Sequence, residues 1–228
     1  MNTQSRTKPA ALPRIRLGNG CSARNLPLAL ADQHRALPVG RVVRAVLKPR
    51  PTRGWDSQLA VDLAIGAGFA SIGPVLYRKE AAYLTLERLY SLSDTVGSGM
   101  KLLVVGLNPS PYSADTGIGY ARPGNRFWPA VLQAGIASID RDPRHALRYH
   151  GLGMTDLVRR TTRRADQVSI KEYQVGFARV ARLVQWLAPR AVCFVGLGGW
   201  RNIVDAKAKA GIQASQVGCR PVSLMPHT

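Results

Sequence analysis

Acidic residues are scarce in this sequence: 13 Asp and Glu stand against 32 Lys and Arg, a formal charge of +19. Such a surplus favours a polyanionic partner, nucleic acid ahead of an anionic membrane surface, although basic chains without a dedicated partner also occur. Cysteine is nearly absent as well. Cys21, Cys193 and Cys219 form no C-x-x-C pair, which excludes a four-cysteine cluster or zinc site within one chain and argues against a disulfide framework. Cys193 sits in an apolar run and is expected simply to pack. No stretch reaches the roughly 18 apolar residues of a membrane helix. The charged N-terminus is not followed by the apolar segment of a secretory signal, so a cytoplasmic location is expected. What is present is adequate for a core: 46% of residues are hydrophobic and 20% charged, unlike a wholly disordered chain.

Residues 1–38 are rich in Pro, Arg, Ser and Asn, with Asp32 the only acid before Asp56. They are expected to form a disordered basic arm. Residues 39–92 are patterned: Val42–Leu47 reads as a strand, and Leu59, Leu63 and Ala67 recur at helical spacing before Gly68. Residues 72–77 and 81–86 read as two further strands. This order weakly resembles the end of a methyltransferase-type fold, without its cofactor-binding half, so methyl transfer is not expected. Residues 93–99 (SDTVGSG) read as a polar linker, followed by a separate domain over 100–228.

That domain alternates strands and helices. Strands are expected at 102–105 and 191–195, with another beginning at 222. Helices are expected at 126–134, 143–149 and 200–210. A long helix opens at the S-x-x-E capping box of Ser169 and Glu172 and carries Tyr173, Phe177, Val180, Val184 and Leu187 on one face. The pattern predicts an α/β fold: three layers, α/β/α, around a short and mainly parallel sheet, preceded by a small α/β extension. Gly196-Leu197-Gly198-Gly199 is an incomplete dinucleotide fingerprint without a suitable acidic residue downstream, and is discounted.

Ligands of parallel sheets bind at the carboxyl ends of strands, where three segments stand out: 106–110 (GLNPS), 151–156 (GLGMTD) and 225–228 (MPHT). Gly106 permits close backbone approach, Pro109 stiffens the loop and Asn108 is held at its mouth. The stretch 116–128 (TGIGYARPGNRFW) is highly particular. Together, GLNPS, T-G-x-x-Y-A-R-P-G-N-R-F-W, GLGMTDLVRRTT, the S-x-x-E-Y helix and the glycine-tipped strand VCFVGL closely resemble, in order and spacing, the mismatch-specific uracil/thymine branch of the uracil-DNA glycosylases. The resemblance runs from about Thr95 to the C-terminus.

The resemblance implies hydrolysis of the N-glycosidic bond of a flipped pyrimidine in mismatched duplex DNA by a monomer, with no metal or organic cofactor. It makes Asn108 the residue that orients the attacking water and Tyr120 the aromatic that stacks on the extruded base, although Tyr120 also fits as a core residue under the loop. Asp156 either reads the base edge or assists the water, or else pairs at the surface with Arg159 or Arg160. Ser110 suits a phosphate or base contact and equally a turn. Asn125 and Arg126 brace the loop and start a helix, with Phe127 and Trp128 in the core. Arg159, Arg160, Arg163 and Arg164 form a basic patch for backbone phosphates or a solvated run. His227 lies where the family's last motif begins, and the chain ends at Thr228 without the wedge loop and closing helix. The loss of that wedge admits a second expectation, a catalytically impaired DNA-binding protein on the same fold.

Overall fold

The computed structural model describes residues 11–228. Two sheets are present. In the first, strands β1 (Arg14–Leu17), β2 (Val42–Leu47), β3 (Phe69–Arg78) and β4 (Ala81–Arg88) lie in the order β1-β2-β4-β3. One side of this sheet carries α1 (Leu26–Ala36) and α2 (Ser57–Gly66), whose Leu26, Leu30, Leu59 and Leu63 are buried with Val43, Ala45, Leu84 and Leu86. The Asp56 carboxylate caps α2 by accepting from the Leu59 N–H at 2.7 Å.

The second sheet has the order β6-β5-β7-β9-β8, built from β5 (Leu102–Gly106), β6 (Leu152–Asp156), β7 (Ala191–Val195), β8 (Gly211–Ile212) and β9 (Val222–Met225). All its pairings are parallel except β8 with β9. Successive residues of a strand point to opposite faces, and β5 shows this. Leu103 and Val105 join one apolar cluster with Tyr173, Val180 and Val184 of α6 (Ile170–Leu187). Val104 joins another with Phe127, Trp128 and Val131 of α4 (Phe127–Gln133). Both faces are covered, as the near-continuous apolar strands require, and the expected three-layer α/β/α architecture is present. The remaining helices are α3 (Pro111–Thr116), α5 (Pro143–His145), which continues as a π turn over Ala146–His150, and α7 (Leu197–Ile203). The Ser169–Glu172 capping box is formed on both sides.

Three expectations need correction. Residues 14–38 are not a disordered arm: Arg14–Leu17 pairs in parallel with β2, and Leu26, Leu30, Ala31 and His34 recur along one buried helix face. Pro27 stands in the first turn of α1, where no N–H is needed, so it starts the helix rather than breaking it. Of the rest of the expected arm, residues 11–13 carry no regular element and residues 1–10 lie outside the described residues. Residues 93–99 are not a free linker, since Asp94 and Val96 are buried and Thr95 bridges Met154. The helix expected at 200–210 occupies Leu197–Ile203; Gly196, at φ 87°, is its N-cap.

The two sheets form one packed body, because a single apolar cluster contains residues of α1, β2, α2, β4, β5, α6 and β7. At the seam the Asp94 N–H donates to the Gly66 carbonyl at 2.8 Å, and Arg182 of α6 pairs with Asp62 of α2 at 2.6 Å. His34 is held between the Leu89 carbonyl at 3.0 Å and the Ser93 hydroxyl at 3.2 Å. Burial pushes its imidazole down to about 4, so it is neutral at pH 7.

Candidate active site

The tips of β5 and β6 lie side by side, with Gly106 and Asp156 as register partners. Beyond them the two loops stay paired: Leu157 donates to the Gly106 carbonyl at 2.9 Å, Val158 to Leu107 at 2.9 Å and Thr162 to Pro109 at 3.1 Å. This pairing fixes Asn108. Its side-chain nitrogen donates to the Thr162 hydroxyl at 2.7 Å, the Arg160 carbonyl at 3.1 Å and the Pro109 carbonyl at 3.3 Å. Carbonyls only accept, so the amide nitrogen must face this loop and Oδ1 is left directed away from it. Among the described residues Oδ1 has no partner. The Thr162 hydroxyl in turn donates to the Arg164 carbonyl at 2.8 Å, which orients its lone pair toward Asn108. The sequence pattern does not single out Thr162, although the R-R-T-T run contains it.

Asp156 is buried; it faces Arg159 at 3.7 Å, but in the interior rather than at the surface, and Arg160 pairs elsewhere. A Cβ built on Gly106 would stand 2.2 Å from Asp156 Oδ1 and 2.8 Å from the Tyr120 hydroxyl. Only glycine therefore leaves room for both groups over the end of β5. Tyr120 keeps an exposed edge, but its hydroxyl is buried and has no hydrogen-bond partner among the described residues. Its ring stacks on Phe127 at 4.3 Å and 22°, so the packing role is realised on one side of the ring. Its backbone has φ 58°, a left-handed conformation that costs a non-glycine residue about 1–2 kcal/mol. The Trp128 indole holds the loop by donating to the Gly119 carbonyl at 2.8 Å. Phe127 and Trp128 are core residues, as expected, and Asn125 starts α4 by accepting from the Phe127 N–H at 2.9 Å.

Beneath Asp156 lies a buried ionic cluster. Asp94 accepts from Arg159 at 2.8 Å, Arg179 at 2.9 Å and the Thr155 hydroxyl at 2.7 Å. Arg179 also donates to the Asp156 carbonyl at 2.8 Å, and Arg159 stands 3.7 Å from the Asp156 carboxylate. Burial raises the Asp156 carboxyl to about 6; Arg159 pulls it down, Asp94 pushes it up and Arg179 pulls it down again. Asp94 and Arg179 carry no motif signal, because the one falls in an expected linker and the other within a helix.

The basic patch divides. Arg159 is only 8% exposed and points into this cluster, so it is corrected from a phosphate contact to a structural cation. Arg160 is committed to Glu172 at 2.7 and 3.0 Å and to the Gln167 carbonyl at 2.7 Å. Arg164 pairs with Asp166 at 2.5 Å, while Arg163 is exposed with no partner among the described residues. Ser110 caps α3, accepting from the Ser113 N–H at 3.2 Å, which is the turn role. Pro109 is buried and His227 exposed near Gly196.

Space at the strand tips is small. Tyr120, Asp156, Met154 and Thr95 border a cavity of about 20 Å³, enough for one water but not for a pyrimidine ring. It shares Ser93, Thr95, Gly117 and Pro143 with a groove of about 600 Å³, walled on its other side by Ala31, Arg35 and Arg88 of the N-terminal unit. Arg35 lies against the backbone of Gly117. Among the described residues no group of three His, Cys, Asp or Glu is placed to hold a metal ion, and no helix is long and apolar enough to cross a membrane.

At the paired ends of β5 and β6 the structure thus brings Asp156, a desolvated carboxyl of raised pKa, together with Tyr120 around the small cavity, whereas Asn108, its amide fixed by the following loop, does not line that cavity. Compared with known protein families, residues 94–227, more than half of the chain, match the model of the uracil DNA glycosylase superfamily.

Proposed function

Since the chain belongs to the uracil DNA glycosylase superfamily, whose members are hydrolases that release bases from DNA, we propose that it is a monofunctional, mismatch-specific enzyme. In this reading it removes uracil, and thymine or damaged pyrimidines, opposite guanine. The observation that carries the proposal is the Asn108 amide, locked by its nitrogen to Thr162 and Arg160 with Oδ1 unpartnered. A water donating one hydrogen to Oδ1 turns a lone pair toward C1′ of an extruded nucleotide. The C1′–O bond forms as the C1′–N bond breaks, the base takes the bonding pair, and the sugar passes through an oxocarbenium-like state. Asp156, ionised above pH about 6, receives the water's proton. Tyr120 stacks on the base once it leaves its place over Gly106. No lysine acts as nucleophile, so the abasic strand stays intact. Arg163 is left to meet the DNA backbone, with Arg164, paired to Asp166, exposed beside it, and His227 is exposed near Gly196 at the end of β7.

The test is incubation with duplexes carrying one G·U, G·T or A·U pair, followed by alkali at the abasic site. Cleavage of G·U above A·U supports the reading, and no cleavage of any duplex would sink it. The cavity of about 20 Å³ favours a second reading, DNA binding by the same fold without base release. Salt-sensitive duplex binding with no abasic product identifies that case.

A further inference from the structure

The open face of the N-terminal sheet carries chemistry that base removal does not use. Residues alternate along its strands: Val43, Ala45, Leu47, Ala82, Leu84 and Leu86 are buried toward the helices, and the positions between them turn outward. The register aligns the outward residues in rows across the sheet; one of them, Val42, Glu87, Ala70, carries the carboxylate of Glu87, which stands outside the concavity described below, and residues of the two others line it. Of these two, one reads Arg16, Val46, Tyr83, Leu76, and the next Arg14, Arg44, Thr85, Ile72. Cations thus stand on β1 and β2, while an exposed aromatic and two exposed aliphatics stand on β4 and β3.

A shallow concavity of about 600 Å³ runs over this face. Arg14, Arg16, Arg44 and Lys48 line it, and no Asp or Glu does. All four are exposed, and among the described residues none has a side-chain hydrogen bond or ion pair. Tyr83 is 41% exposed and likewise unpartnered. Four uncompensated cations beside an exposed ring match a chain of phosphates bearing bases. A ring stacks only on a base whose face is free, and a duplex hides those faces. We propose that this face binds single-stranded nucleic acid, with phosphates along β1 and β2 and a base against Tyr83. The proposal does not rest on base release.

The experiment is fluorescence anisotropy of the full chain with labelled 20-mers of dT and rU, titrated over a range of salt. Steeply salt-dependent binding is expected. Tyr83→Ala should weaken it about tenfold with little change in salt slope, while Tyr83→Phe retains it. Arg14→Ala with Arg44→Ala should flatten the slope by about 1.4, or about 0.7 for each phosphate no longer neutralised. Release of uracil from duplex DNA should be the same in all variants. A preference for dT or for rU supports the proposal and identifies the strand as DNA or RNA. Unchanged affinity in both Tyr83→Ala and the arginine pair would overturn it. Binding to phosphatidylserine vesicles but not to either oligonucleotide would overturn it too.

Discussion

Asn108 and Thr162 are held together: the hydroxyl 2.7 Å from the amide nitrogen fixes which way the amide faces, and in the proposed reaction this is what would present Oδ1 to the water. Thr162→Val keeps the shape and removes that acceptor. It should lower kcat by up to about 100-fold with KM little changed, because sub-ångström misplacement of a reactant costs rate more than binding. Thr162→Ser should recover most of the rate, and single-turnover kinetics on a G·U duplex would check both. Asp156 gives a pH signature. Its carboxyl titrates near 6 instead of its ordinary 3.8, so base release should fall as pH drops through about 6, and Asp156→Asn should be slow and lack that inflection. The linkage has the opposite sign for stability. A raised carboxyl pKa means that ionisation opposes folding above pH about 6 and ceases to do so as pH falls toward 3.8. Asp156→Asn should therefore raise the thermal midpoint at pH 8 more than at pH 4. An equal change at both would contradict the assigned burial.

Among the elements, α6 is the brace of the site. It carries Arg179 into the ionic cluster and crosses the β6 loop at Gly176, where an added Cβ would lie 2.0 Å from the Leu157 carbonyl oxygen. Alanine is favoured over glycine in a helix by about 1 kcal/mol, yet Gly176→Ala should destabilise the protein by about 1–3 kcal/mol through overpacking, as read by urea unfolding. A stabilised variant would show that α6 does not press on this loop. The helix itself is legible in the sequence, because a capping box and an apolar stripe are local signals; the strands at 42–47, 102–105 and 191–195 are equally so. The Ser110-Pro111 start of α3 is also local, but it reads as loop because glycine and proline dominate the stretch. Asp94, Thr162 and Arg179 are not legible as site residues. Their roles arise from partners between 23 and 85 residues away in sequence, farther than any local pattern of strand, helix or turn reaches.

At the scale of the whole molecule, the N-terminal unit is built into the site. Gly66 of α2 leaves room for the Asp94 carboxylate, and Asp94 holds both arginines under Asp156. The unit and the glycosylase domain should therefore unfold in one cooperative transition by calorimetry; two separated transitions would contradict the shared core. The central claim remains the amide at the end of β5. The most direct measurement is single-turnover uracil release from a G·U duplex by Asn108→Ala, with duplex affinity measured in parallel. A rate reduced at least about 100-fold at nearly unchanged affinity is predicted, and a rate equal to that of the unsubstituted chain would contradict the account.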